Sequence, residues 1–345
     1  MKELHLFYVE SNFHLIIAEG FIENEDIKKA DCLFVTHRGV RLPKTYSDCL
    51  LYDGTISQFK ERVHLYKKNK KYYNELFKNR RVYSYAPFQF LFPTIRYFSE
   101  YNLMEEGFSA YSVPKVISNA KAIRYELFKA LYINLLFPFA SKNVKGFLMG
   151  MSYSSPKAKR QTSLLVSNAG AYEKIDLGKK VRKVVVPINR TEDTTSIKGQ
   201  IIIVLDRLSK KGRPFDDNTY LSVLKDVMTQ LGYKANKILV KLHPADSRMG
   251  IEAKSRVEKL LNDIGITPIF IDTNLEEVAL SNAHNTFIGT NSTLLYYAPV
   301  FGKTNKSISF SRVLSNADEQ YSHFLEKWGG TERFCELFSK QVKCL

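Results

Sequence analysis

The second half of the chain repeats one pattern four times, a short apolar run followed by a segment with helical periodicity. Three of the apolar runs are QIIIVLDRL at 200–208, KILVKLHP at 237–244 and NTFIGT at 285–290. Parallel strands need crossover connections, so apolar runs of strand length that alternate with helices are typical of α/β sheets. The pattern predicts a doubly wound α/β domain over residues 196–320.

The first half shows the same alternation less regularly. ELHLFYV at 3–9 and CLFVTH at 32–37 are compact apolar runs that predict strands, and a helical pattern separates them. We therefore expect a first Rossmann-like domain over residues 1–195, with the ligand site in a cleft between two such domains. Residues 321–345 are predicted to be C-terminal helices that pack back on the first domain.

The middle of the chain has weaker signals. Residues 117–138 have a helical pattern, and we expect residues 117–150 to supply the surface of a homodimer. MSYSSPKAKRQTS at 151–163 is polar and predicts an exposed loop. KVVVPIN at 183–189 predicts one more strand. The polar, turn-rich residues 189–199 are the best candidate for the connection between the domains.

The charge balance favours anionic partners. The 345 residues include 51 Lys and Arg against 35 Asp and Glu, a net charge of +16. A basic surface suits a nucleotide, an acidic glycan, nucleic acid or an anionic membrane face. No RNP, KH or helix-turn-helix signature is present, so we expect no nucleic-acid partner.

Cysteine usage and hydropathy indicate a cytoplasmic protein. The four cysteines, at 32, 49, 335 and 344, follow no regular spacing, and we expect all four to be reduced thiols. The first residues, MKELHLFYVESN, include no long apolar stretch of the kind that signal peptides have. ALYINLLFPFA at 130–140 is shorter than the roughly 20 residues that span a bilayer. It is more typical of a core helix, although its basic flanks leave peripheral membrane contact open.

Polar residues follow each predicted strand of the second domain. Because the carboxyl ends of parallel strands meet at one edge, these residues should face one cleft. His243 ends a strand and is followed by Pro244, which restricts the backbone there. In GTNSTLLYY, a glycine and small hydroxyl side chains precede a helix, whose N-terminus attracts phosphate. Each feature alone is also typical of an ordinary strand end or N-cap.

Two glutamates follow another predicted strand of this domain. Glu276 or Glu277 is a candidate to bind ribose hydroxyls, although a carboxylate at a helix start also complements the helix dipole. No GxGxxG or Walker motif is present. The combination therefore predicts a nucleotide-phosphate site of another kind, with a histidine beside the phosphate.

Three short motifs resemble those of bacterial sialyltransferases with the GT-B fold. They are MEEG at 104–107, KLHP at 241–244 and NST at 291–293 before LLYYAPVFGK. The set and its order look closest to the lipooligosaccharide sialyltransferases of glycosyltransferase family 52, with the capsule polysialyltransferases second. The opening YVESNFHLIIAEGFI also looks like the first strand, loop and helix of the former family.

The resemblance implies a role for each matching residue. Glu106 would be the general base on the acceptor hydroxyl, with Glu105 as its support and Gly107 allowing the tight turn. His243 would act on the leaving phosphate. The remaining predicted donor-binding residues are Lys241, Pro244, Glu276, Glu277, Gly289, Ser292, Thr293 and Ser209. The Ser-Thr pair is a departure from related families, which often have Ser-Ser.

The same resemblance implies the substrates. The donor would be CMP-sialic acid and the acceptor a galactose-type sugar of a lipid-linked surface glycan. No metal or cofactor is expected, because cationic and N–H groups are able to neutralise the phosphate.

Three alternatives remain open at this point. A polysialyltransferase, or another transferase of surface polysaccharide such as a glycerophosphotransferase, would share the His-Pro and Ser-rich motifs. A non-enzymatic binder of acidic polymers would need only the basic surface. Asp53, in LLYDGT at 50–55, is a second candidate for the base, but it is a single acidic residue where the motif has two.

Overall fold

The computed structural model describes a parallel sheet and helices in each half of the chain. The residues that it describes are 2–37, 40–54, 71–72, 74–87, 98–105, 161–167, 171, 182–188, 196–208, 214–233, 238–247, 249–271 and 275–345. The chain divides into two compact units, Met1–Ile188 and Asn189–Leu345. The predicted boundaries at 195 and 320 stay predictions.

The first unit is built on a seven-stranded parallel sheet. Its strand order is β3-β2-β1-β4-β5-β6-β7, so the chain first adds strands on one side of β1 and then on the other. Helix α1, Asn12–Asn24, begins at the N-cap Ser11, whose side chain accepts a hydrogen bond from the His14 N–H. The strands are β1 Lys2–Val9, β2 Cys32–His37, β3 Leu50–Gly54, β4 Arg80–Pro87, β5 Phe98–Met104, β6 Gln161–Val166 and β7 Arg182–Val185.

The second unit repeats this plan with a six-stranded parallel sheet. Its strand order is β10-β9-β8-β11-β12-β13, again with the first strand in the middle. The strands are β8 Ile201–Val204, β9 Ile238–Lys241, β10 Pro268–Phe270, β11 Thr286–Gly289, β12 Lys306–Ser309 and β13 Val342–Cys344.

Helices join these strands. They are α2 Asp217–Gln230, α3 Pro244–Ser247, α4 Ile251–Asp263, α5 Leu275–Leu280, α6 Thr293–Phe301, α7 Ser311–Ala317, α8 Glu319–Leu325 and α9 Thr331–Phe338. In the part of the chain that the structure describes, no helix has both the length and the hydropathy needed to cross a membrane.

The core of the second unit explains why its central strands β8 and β11 are rich in apolar residues. Ile202 in β8 and Phe287 in β11 are fully buried between the helices that cover the sheet, among them α5 and α6. A parallel sheet covered on both faces selects β-branched and aromatic side chains at successive positions. The predicted doubly wound α/β architecture is confirmed.

The structure corrects two expectations about secondary structure. Gln161–Val166 forms β6, although residues 151–163 were expected to be an exposed loop. Residues 321–345 are not helical throughout, because Val342–Cys344 pairs in parallel with β12 as the last strand. β13 has only three residues, so its pairing with β12 determines its conformation more than its own sequence does.

The prediction of four reduced thiols is wrong for two of them. Cys335 and Cys344 form a disulfide, with their Cα atoms 5.7 Å apart. Cys335 lies in α9, and the return of the chain into β13 brings Cys344 within the usual disulfide distance. Cys32 and Cys49 are free and buried, and burial raises the pKa of Cys32 to about 12.

Candidate functional site

The carboxyl edge of the second sheet gathers the predicted donor-binding residues that the structure describes. From β8 the chain moves to β9 and β10 on one side, and then to β11, β12 and β13 on the other. The crevice beside such a reversal, between β8 and β11, is where parallel α/β sheets bind ligands. The segments that follow β8, β9, β10 and β11 all lie at this edge.

The His-Pro motif forms the turn that follows β9. The His243 carbonyl oxygen accepts hydrogen bonds from the N–H groups of Asp246, at 2.8 Å, and Ser247, at 3.0 Å. Pro244 is the first residue of α3, a position where its missing N–H costs no helical hydrogen bond. The His243 side chain is half-buried. The backbone of this turn is therefore fixed, which is what an acid or a donor to a leaving group requires.

Lys241 ends β9 and lies close to this turn. Its Nζ atom is 3.5 Å from the Ile271 carbonyl oxygen, beyond β10. At that separation the contact is weak. The lysine is half-buried at the same edge as His243.

The hydroxyl motif forms the start of α6. Ser292 is the N-cap, and its Oγ atom accepts a hydrogen bond from the Leu294 N–H at 3.3 Å. Thr293 is the first helical residue, and both side chains are half-buried. A capping serine keeps its own O–H as a donor, so the cap and a phosphate contact are compatible.

Gly289 has a packing reason to be glycine. A Cβ atom at this position would lie 2.7 Å from the Val204 carbonyl oxygen. Gly289 pairs with Val204 in the register of β11 and β8. Close approach of these two strands therefore accounts for the glycine without any ligand.

Glu276 and Glu277 lie in the first turn of α5, after β10. Glu276 is half-buried and Glu277 is exposed. Their position at the helix start complements the helix dipole, and it also places both carboxylates at the carboxyl edge. The structure does not decide which of them binds a ribose.

A buried polar network at the same edge was not foreseen. Asp206 follows β8, and its carboxylate accepts a short hydrogen bond from the Thr290 hydroxyl, which follows β11. The Thr290 carbonyl oxygen accepts a hydrogen bond from Ser309 at 2.6 Å. The Asp206 N–H donates to the Tyr220 hydroxyl at 3.3 Å. The network thus crosses the crevice between β8 and β11.

This network perturbs the protonation of Asp206. Burial raises the pKa of Asp206 to about 6, while the Thr290 hydrogen bond and the charge of Lys327 oppose that rise. Tyr220 and Tyr321 also face the carboxylate, and burial raises the pKa of both phenols. Asp206 is therefore an acid that titrates near neutrality at the predicted ligand edge.

A second unforeseen contact lies on the other flank of β8. Asp246, in the turn after His243, is 1% exposed and accepts a hydrogen bond from the Leu208 N–H at 2.9 Å. Its other carboxylate oxygen lies 3.7 Å from Arg207 Nε. The only signal in the sequence was the position of Asp206, Arg207 and Asp246 in the segments that follow β8 and β9.

In the first unit, Glu105 lies at the carboxyl end of β5 and is fully buried. Its Oε2 atom accepts hydrogen bonds from the Ser167 N–H, at 2.7 Å, and the Ser167 hydroxyl, at 2.8 Å. The Glu105 N–H donates to the Leu165 carbonyl oxygen at 2.9 Å. Glu105 thus ties the end of β5 to the end of β6, which fixes the backbone that leads into residue 106.

Several predicted residues lie outside the described part of the chain. Glu106, Gly107 and Ser209 are among them, as are residues 117–150, for which a dimer surface was expected. Asp53, the second candidate for the base, lies in β3 at the margin of the first sheet. The assignment of Glu106 as base stays a prediction.

The described residues include no group of three or more His, Cys, Asp or Glu side chains placed to hold a metal ion. The expectation of a reaction without metal or cofactor stays a prediction.

The sequence matches no family model and no curated protein. Among solved structures, it is similar to a 2,6-sialyltransferase of Photobacterium sp. JT-ISH-224 in a ternary complex with CMP and lactose. That likeness has a TM-score of 0.51 and 10% identity, and it covers 99% of this chain and 78% of that one.

Two further structures are less similar. MnaA of S. aureus, solved with UDP, has a TM-score of 0.48 at 10% identity, covering 99% of this chain and 92% of that one. A sialyltransferase of Photobacterium damsela has a TM-score of 0.45 at 11% identity, covering 100% and 81%.

At 10% identity the likeness shows the fold and not the activity. Membership in glycosyltransferase family 52 and the predicted cleft between the domains stay predictions. Two parallel sheets with helices, together with the TM-score of 0.51 over 99% of this chain, support one fold for both proteins. The chain has a two-domain α/β fold of the GT-B type.

Proposed function

We propose that this protein is a glycosyltransferase, and specifically an inverting sialyltransferase that uses CMP-sialic acid. The observation that carries the proposal is the placement of two motifs on either side of β8. The His243-Pro244 turn follows β9, and the Ser292 cap of α6 follows β11. Both lie at the edge where α/β sheets bind nucleotides.

The first structural neighbour supports the choice of donor and acceptor. That protein is a 2,6-sialyltransferase, solved with CMP and lactose. The motif order of this chain points in the same direction. We extend the donor, CMP-sialic acid, and a galactose-type acceptor to this chain on that basis.

The proposed reaction needs three contributions from the protein. Glu106 takes the proton of the acceptor hydroxyl as its oxygen attacks the anomeric carbon of sialic acid. The bond from that carbon to the phosphate oxygen breaks, and the electron pair stays on the CMP phosphate. His243 donates a proton or a hydrogen bond to that phosphate, and Ser292 and Thr293 hold it. Attack opposite the leaving group inverts the anomeric centre.

The described residues fit the supporting roles. The Glu105 carboxylate is bonded to Ser167 and fixes the backbone directly before the base. One of Glu276 and Glu277 would bind the ribose from the start of α5. A basic chain suits an anionic donor and a lipid-linked acceptor, and would favour contact with an anionic membrane face.

The experiment is mass spectrometry of the products formed from CMP-sialic acid and lactose. We expect one sialic acid on lactose and an equal amount of CMP. Several sialic acids in series would favour the polysialyltransferase alternative. Turnover of CDP-glycerol instead would favour the glycerophosphotransferase, and binding of acidic polymers without any turnover would favour the non-enzymatic binder.

Two variants test the assigned roles. Glu106→Gln and His243→Ala should each lower the rate by about 10²- to 10⁴-fold, which is the usual contribution of general acid–base catalysis. Glu258→Gln, on the exposed face of α4, and His323→Ala, with an exposed side chain, are matched controls. If Glu106→Gln keeps full activity, the base is another residue, and Asp53→Asn is the next variant.

A further inference from the structure

Arg207 has a guanidinium with unused donors. Its Nε atom is buried and, within the described residues, has no hydrogen-bond partner. Asp246 Oδ1 lies 3.7 Å away, which makes an ion pair but not a hydrogen bond. Because arginine has five N–H donors, nearly all of its capacity is left for another acceptor.

A structural arginine pair in the same unit looks different. Arg312 contacts Glu332 through two nitrogens, Nε at 3.0 Å and a terminal nitrogen at 2.8 Å. That is the forked geometry that makes arginine–carboxylate pairs strong. The Arg207 side chain lies beside its carboxylate without forming this fork. Asp246 therefore orients the guanidinium but does not saturate it.

The position of Arg207 is accessible from the ligand edge. Its side chain is 33% exposed, while that of Asp246 is 1% exposed. Arg207 follows β8 by three residues, and Asp246 lies in the same turn as His243. The guanidinium therefore lies beside the turn that holds the predicted donor to the leaving phosphate.

We propose that Arg207 is a further donor-binding residue, whose guanidinium binds the phosphate of the nucleotide donor, with Asp246 as its positioning residue. Two parallel N–H groups of an arginine match two oxygens of a phosphate. A guanidinium already held by a buried carboxylate loses less freedom on binding. The proposal rests on the proposed function only for the identity of the donor.

The experiment is isothermal titration calorimetry with CMP, UMP and their nucleosides, cytidine and uridine. We expect Arg207→Ala to weaken binding of the preferred nucleotide by about 10- to 100-fold. Its nucleoside should bind within about twofold of the wild-type affinity. Arg207→Lys keeps the charge but not the fork, so its loss should be intermediate. Arg256→Ala, on the exposed face of α4, is the control for net charge.

Asp246→Asn tests the positioning role. It should weaken nucleotide binding and leave nucleoside binding unchanged. A residue that only maintained the fold would lower both affinities alike. Equal losses for nucleotide and nucleoside in Arg207→Ala would overturn the proposal, as would an unchanged nucleotide affinity or a wild type that binds no nucleotide. If the protein does not use CMP-sialic acid but binds UMP in a way that depends on Arg207, the proposed function is overturned and the role of Arg207 stands.

Discussion

The Thr290 hydroxyl, after β11, donates a hydrogen bond to the Asp206 carboxylate, after β8. These two neighbouring strands flank the point where the strand order reverses. The contact holds an acid in the crevice where an anionic ligand is expected. Lys327 lies close enough to stabilise its charge in part. The protonation of Asp206 is therefore a property that experiments on stability can follow.

Replacing Asp206 by asparagine should change how stability depends on pH. The pKa of Asp206 is about 6 in the folded protein, against roughly 4 in an unfolded chain. The folded state thus binds the proton more tightly, and this group destabilises the fold as pH rises from about 4 to 6. Above that range Asp206→Asn should be more stable than the wild type, by at most on the order of 3 kcal/mol.

The measurement is urea unfolding at several pH values, followed by the fluorescence of Trp328. That residue is the only tryptophan of the chain and is buried in the second unit. The difference between Asp206→Asn and the wild type should vanish near pH 4. An Asp206→Asn variant that is less stable than the wild type above pH 6 would show that the folded carboxyl has a lowered pKa instead.

Replacing Thr290 by valine should leave Asp206 without its hydroxyl donor. The hydrogen bond from Thr290 lowers the pKa of Asp206, so its loss should raise that pKa above 6. At pH 7.5 we expect a loss of about 1–3 kcal/mol, because the partly buried charge loses its donor. Thr290→Ser keeps the hydroxyl and is the matched control. Equal losses in both variants would assign the effect to packing of the methyl group.

Replacing Glu105 by alanine should destabilise the first unit. The buried carboxylate bonds both the N–H and the hydroxyl of Ser167, and alanine leaves those donors without an acceptor. We expect a loss of about 2–4 kcal/mol, and about 1 kcal/mol for Ser167→Ala, which removes one contact. Unfolding followed by far-ultraviolet circular dichroism measures both. Two variants that both match the wild type would mean that this contact does not stabilise the unit.

Replacing Gly302 by alanine should destabilise the second unit. An added Cβ atom would overlap the Ala279 and Ser281 carbonyl oxygens and the Asn305 side-chain nitrogen. That nitrogen donates to the same two carbonyl oxygens, at 3.0 and 2.9 Å, so the methyl group would disrupt both bonds. We expect a loss of about 3 kcal/mol from overpacking.

Urea unfolding followed by Trp328 fluorescence measures the change in the free energy of unfolding in Gly302→Ala. Asn305→Ala should cost a similar amount, because two buried carbonyl groups lose their donor. Ser255→Ala, on the exposed face of α4, should be neutral. A Gly302→Ala variant as stable as the wild type would show that α6 is able to shift away from α5.

The strands that the sequence predicted well are those whose own residues favour a buried sheet. β8 is a run of isoleucine and valine, and its interior positions are fully buried, so its hydropathy alone identifies it. β12, KSIS, and β13, VKC, have no such run. Their partners in the sheet determine their conformation, and a pattern local to the sequence does not show those partners.

The candidate site, like the strands, was predictable from the sequence only in part. Parallel strands meet at their carboxyl ends, which is why His243 and Ser292 could be assigned to one edge in advance. Asp206 and Thr290 lie 84 positions apart in the sequence. Asp246 lies 39 positions after Arg207 and 38 after Leu208. Nothing local in the sequence pairs them, because the contacts depend on the order of strands within the sheet.

The neighbouring residues Asp206 and Arg207 contact opposite flanks of β8, Thr290 on one side and Asp246 on the other. Two adjacent residues therefore link the turn of His243 with the segment that precedes α6. We expect a displacement of either segment to shift the other. In a double-mutant cycle, Thr290→Val and Asp246→Asn should consequently show a non-additive free energy, although their side chains do not need to touch.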